Sequence, residues 1–125
     1  MPVTRVILAI IGFAYLALAV WCAVLPERTS QSVGFKLTPG SGQSEYLVVY
    51  GGLQLGLGLI FLWPLLRSSD PKEALFACLL IHGCLVAFRV LSFLRYSGIQ
   101  STTYILAVVE WIILLTSLGL LWRKP

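Results

Sequence analysis

Four apolar runs dominate this chain, at about residues 3–25, 45–66, 72–94 and 102–122. Each is long enough, at ~1.5 Å per helical residue, to cross a hydrocarbon core of ~30 Å. Inside a bilayer every backbone N–H and C=O must be satisfied within the protein, which leaves the helix as the natural form of such runs. The expected fold is therefore all-α: one transmembrane domain over residues 1–125, an antiparallel four-helix bundle with both termini on the same side. Only 11% of the 125 residues are charged against 58% apolar, where a soluble domain carries about 25% charged residues. The net charge of +4 sits singly at the ends of the runs, with no basic patch interleaved with aromatics, so nucleic acid is excluded as a partner.

The basic residues also set an orientation. Arg5, Arg67, Lys72, Arg123 and Lys124 would share one side of the membrane, and Arg28, Lys36 and Arg95 the other. Basic residues favour the cytoplasmic side, so both termini are expected there, in a multi-pass protein of the plasma membrane. The first run resembles a signal peptide in carrying Arg5 before an apolar stretch and Ala17-Leu18-Ala19 within it. Its apolar character continues through Val24-Leu25, the length of a true span, and it is read as an uncleaved helix. Ala9, Gly12, Ala19 and Ala23 give that helix a stripe of small residues suited to close packing.

Residues 26–44 form the long connection. Pro26-Glu27-Arg28 suits the first turn of a short helix that Gly34 would end, with Val33, Phe35 and Leu37 resting at the interface. In the second run Trp63-Pro64 is expected to mark the far boundary, since a proline ring ends a helix. Asp70 is a cap and Pro71 a first-turn residue for the third helix. Gly51, Gly52, Gly56 and Gly58 are the expected packing residues of the second helix, within the bundle or against another copy of the chain. The three cysteines, Cys22, Cys78 and Cys84, all lie in apolar runs and give no disulfide framework. Cys78 and His82 share a face at i, i+4, but without a clear third ligand no metal is assigned, and no cofactor is implied.

Polar groups inside the runs are the chemically informative residues, because lipid offers them no partner. Arg89 lies roughly 9 Å inside the end of the third helix marked by Arg95, and Glu110 roughly 12 Å below the same surface in the fourth. Tyr50 and Gln54 lie about 7 and 13 Å below Glu45. These depths predict one polar layer of Tyr50, Gln54, Arg89 and Glu110, with Glu45 and Tyr46 above it. Tyr46, Tyr50 and Gln54, at i, i+4 and i+8, are expected on nearly one face. Thr103, Ala107, Glu110, Leu114 and Ser117 make the less apolar stripe of the fourth helix. Arginine stays ionised, so an Arg89–Glu110 pair is the least costly arrangement, with Tyr50 and Gln54 hydrogen-bonded to it. If Glu45 also reaches Arg89, two carboxylates share one guanidinium and the site responds to protons. His82, on the Arg89 face and roughly 10 Å deeper, either extends the polar path or rests as a neutral ring on a backbone or hydroxyl partner.

The run Glu45, Tyr50-Gly51-Gly52, Leu55-Gly56-Leu57-Gly58, with Arg89 and Glu110, resembles the small bacterial four-helix membrane proteins of the domain of unknown function 4345 family. The resemblance implies the fold class, a bacterial inner membrane and a shared polar layer, and no activity. Two readings of the layer follow from its residues. In the first, Arg89 binds the polar head of a small amphiphile, lipid or anion, Glu110 and Glu45 balance charge, and Tyr46 and Tyr50 line the entrance. In the second, Glu45 and Glu110 act as acid and base of an intramembrane enzyme. A third role, as structural subunit of a membrane complex, needs only the small-residue faces.

Overall fold

In the computed structural model, which describes residues 2–123, the chain is helical, with no strand among the described residues. Lys124, counted in the charge bias, lies outside them. The helices are α1 (Pro2–Val24), the short α2 (Pro26–Ser32), α3 (Ser41–Arg67), α4 (Lys72–Arg95) and α5 (Ser101–Trp122). All but α2 are long and apolar enough to cross a membrane.

The boundaries follow from local chemistry. Pro26 opens α2, where its missing N–H is no loss. Gly34 ends it at φ +89°, letting the Phe35 N–H fold back to the Ser30 carbonyl at 2.9 Å. The third helix begins four residues before the expected Glu45, because Gly40 turns at φ +79° and Gln43 Oε1 accepts the Gly40 N–H at 3.1 Å. At its other end Pro64 does not terminate the helix, which runs on to Arg67. A proline ring removes one backbone bond and crowds the turn before it, while the residues after it can stay helical. Arg5 closes this end from α1, donating to the carbonyls of Pro64 (2.6 Å) and Ser69 (2.5 Å). Asp70 Oδ1 accepts the Lys72 N–H at 3.0 Å, but the N-cap position itself is taken by Pro71, one residue before the helix, rather than by Asp70.

One stretch departs from α-helical geometry. Residues Leu47–Leu53 of α3 are π-helical. Their i→i+5 bonds widen the turn, so each residue advances less about the axis than in an α-helix. Gly51 and Gly52 fall here, where a regular helix gains least from its sequence.

Helix α1 packs chiefly along α3, and α4 along α5; the two pairs touch each other less extensively. The α1–α3 seam closes on Gly12 and Gly58, each with its would-be Cβ about 3 Å from the other's carbonyl oxygen, an approach that only glycine permits. A core of Leu8, Ile11, Phe61, Ala74, Leu75, Cys78 and Leu120 joins all four long helices. It lies at the end that holds the start of α1, the α3–α4 turn and the end of α5.

Candidate functional site

At the opposite end the two helix pairs separate around a recess of about 640 Å³. Its wall contains Tyr50 from the π-helical stretch, Arg89 and Ser92 from α4, and Thr103 and Leu106 from α5. Val33 to Phe35 and the α4–α5 connection, with Tyr96, Ile99 and Gln100, complete the wall. The two connections are tied together by Gln100. With its amide nitrogen facing them, it donates to the α2 carbonyls of Ser32 (2.7 Å) and Gln31 (3.3 Å).

Arg89 and Glu110 meet as a fork. Nε donates to Oε2 at 3.1 Å and Nη2 to Oε1 at 2.5 Å. Their side chains are 26% and 12% exposed, and among the described residues this is the one ion pair. A two-point contact fixes the guanidinium plane as well as its position. It engages Nε and Nη2 and leaves Nη1 outside the pair. Arg89 reaches the recess wall while Glu110 stands behind it.

The remaining expected site residues distribute differently from the single layer read off helical depth. Tyr50 lines the recess with Arg89. Tyr46 is buried behind it, its ring stacked on Tyr50 at 4.5 Å and its hydroxyl donating to Thr29 Oγ1 at 2.9 Å. Phe35 meets both rings edge-on, at 6.1 and 5.8 Å. Gln54 does not bond the Arg89–Glu110 pair. Its amide donates to the Tyr50 carbonyl at 2.7 Å, within its own helix, and lies 3.9 Å from the Cys22 sulfur of α1. Glu45 is exposed and forms no ion pair among the described residues, so the expected sharing of one guanidinium by two carboxylates is not formed.

The expectation for Gln54 assumed α-helical rotation from Tyr50, whereas the chain is π-helical as far as Leu53 and each residue there advances less about the axis. Glu45 lies before that stretch and is exposed.

His82 takes the self-contained arrangement. It is fully buried, and Nδ1 lies 2.8 Å from the Cys78 carbonyl while Nε2 lies 2.9 Å from the Tyr15 hydroxyl. A carbonyl only accepts, so Nδ1 carries the proton and, in the neutral ring, Nε2 accepts from Tyr15. Ser117 donates to the Cys78 sulfur at 3.4 Å. This chain, Tyr15–His82–Cys78–Ser117, links α1, α4 and α5 beneath the recess without joining its wall. Tyr15 was not among the expected polar residues, although a phenol in the middle of an apolar run was visible signal. Gln100 and the Val33–Phe35 turn were also missed, since they lie in connections and carry no periodicity.

The packing glycines divide as well. Gly58 and Gly51 face α1, where Gly51 approaches Ala23. Gly52 and Gly56, expected to pack within the bundle or against another copy of the chain, would meet nothing within 4 Å if given a Cβ. The seam sets Gly58 and Leu62 against Gly12, and Gly51 against Ala23, and Gly52 and Gly56 lie beside those contacts.

The family model described as Domain of unknown function (DUF4345) matches residues 3–121, which include all the residues named in the recess wall. No curated protein and no solved structure matches the chain.

Proposed function

Because the chain belongs to the DUF4345 family, whose description carries no activity, we propose its role from its own geometry. It is an integral membrane protein, an antiparallel four-helix bundle that holds the polar head of a small amphiphile, a lipid headgroup or an anion. Membrane insertion is supported by the four long apolar helices and by outward residues such as Phe88 and Leu94, 72% and 80% exposed. That much apolar surface on every helix suits lipid better than water. The excess of basic residues at the end holding both termini supports a plasma-membrane orientation with those termini cytoplasmic.

The observation that carries the binding reading is Arg89 in the recess wall, clamped by Glu110 along one edge only. A positioned guanidinium beside the hydroxyls of Tyr50, Ser92 and Thr103, with Val33, Phe35, Ile99 and Leu106 around them, suits a ligand with a polar head and an apolar body. The acid–base reading is less well supported. Both Glu110 oxygens accept from Arg89, and Glu45 is outside the recess, so neither carboxylate is offered to a substrate there. The outward Gly52 and Gly56 favour a second copy of the chain as a neighbour on that face.

The test is native mass spectrometry of the full chain released from mild detergent. The wild type is expected to retain one amphiphile, and Ser92→Leu, which replaces a hydroxyl of the wall with a branched apolar side chain projecting into the recess, to lose it. Equal retention by the two would refute a ligand in this recess.

A further inference from the structure

The charge balance of the recess narrows the class of head it accepts. Arg89 is the one charged side chain in its wall, and its charge is matched by Glu110 through two hydrogen bonds. The pair is neutral as a unit. Beyond it the wall offers Tyr50, Ser92, Tyr96, Gln100 and Thr103, groups that donate and accept hydrogen bonds but carry no charge. An anionic head entering here would lose hydration and meet a cation already compensated, which makes its burial costly. A head bearing hydroxyl or ester groups would lose little and find several partners.

Other charges at this end do not alter the balance. Glu27, Arg28, Lys36, Glu45 and Arg95 are exposed and lie outside the wall. The Arg95 guanidinium rests over the Tyr96 ring, 5.8 Å from its centroid. In water such charges are screened over about 8–10 Å; they attract anions to the surface rather than stabilise one inside.

We infer that the recess selects an uncharged, hydroxyl- or ester-bearing head on an apolar chain, of the monoacylglycerol kind, over an anionic head on the same chain. The inference rests on the recess being a ligand site. Its exclusion of anions comes from Glu110, not from an absence of positive charge.

The experiment is competition between a monoacylglycerol and the lysophosphatidate of the same acyl chain for the full-length protein in neutral detergent, read by native mass spectrometry. Binding is counted only where Ser92→Leu abolishes it, which removes lipid held by surface lysine or arginine. The wild type is expected to prefer the monoacylglycerol by about tenfold, a difference of about 1.4 kcal/mol. Glu110→Gln, which leaves the Arg89 charge uncompensated, is expected to reverse the preference. The double variant Arg89→Gln/Glu110→Gln, neutral again, is expected to restore it. Equal binding, or tighter binding of the phosphate by the wild type, overturns the selection for an uncharged head and leaves the ligand site standing. If neither lipid shows binding sensitive to Ser92→Leu, both the ligand site and this inference fall.

Discussion

The two ends of the molecule handle the same physical problem in opposite ways. At the end where α1 begins and α5 ends, Leu8, Phe61 and Leu75 are wholly buried, and Arg5 bonds carbonyls of the last turn of α3 and of the α3–α4 connection. At the other end the helix pairs part, and the space between them is walled by hydroxyls, an amide and a guanidinium. Lipid tails are as apolar as leucine, so hydrophobic transfer does little to press helices together within a bilayer. Close contact and hydrogen bonding do that work: backbones approach where Gly12 meets Gly58, and Tyr15 joins His82 across the helices. Rigidity at one end allows openness at the other.

That contrast is most directly broken at Phe61. Phe61→Ala should empty a filled site and lower stability in detergent by about 3–5 kcal/mol, measured by denaturant titration. Phe35→Ala, at a half-exposed ring beside the recess, should lower it by less than about 1 kcal/mol. Comparable losses would mean that the recess end is as tightly built as the core.

Next in size is the ion pair. Glu110→Ala strands a guanidinium that is mostly covered, and should cost about 2 kcal/mol. Adding Arg89→Ala should return part of that loss, because the stranded charge is gone. A double-mutant cycle reads the coupling, and strictly additive losses would show the pair to be energetically idle.

Tyr15→Phe sharpens the comparison between the two polar groupings. It leaves buried Nε2 of His82 without its donor and should cost about 1–2 kcal/mol, while amphiphile retention measured by native mass spectrometry stays unchanged. A loss of retention would join the two networks into one site. The smallest effect is expected at the outward glycines: Gly52→Leu or Gly56→Leu should shift the stability of the single chain by less than about 0.5 kcal/mol, in contrast to Gly58, whose Cβ would meet backbone.

Much of this was legible along the chain. The α2 start at Pro26 and its stop at Gly34 are local signals with local causes. Arg89 and Glu110 were legible because a charge inside an apolar run must find its opposite, and depth alone limited the choice. Gln54 was misplaced because its orientation depends on helical phase, which the π-helical stretch between Leu47 and Leu53 alters, and Glu45 because an exposed carboxylate keeps its water. Tyr15 and Gln100 were missed because their partners, His82 and the end of α2, are distant in sequence.

Hydropathy and charge spacing alone determined the number of long helices, their approximate limits and the need for Arg89 to be paired. Those properties are set residue by residue, through the cost of placing each group against apolar surroundings. The tertiary structure decided that α1 seals against α3 while α4 seals against α5, and so where space is left between them. It also decided that Arg89 faces that space while Glu110 holds it from behind. Helix rotation and partner choice are collective quantities: contacts such as Gly12 on Gly58 select them, and no single segment encodes its own neighbour.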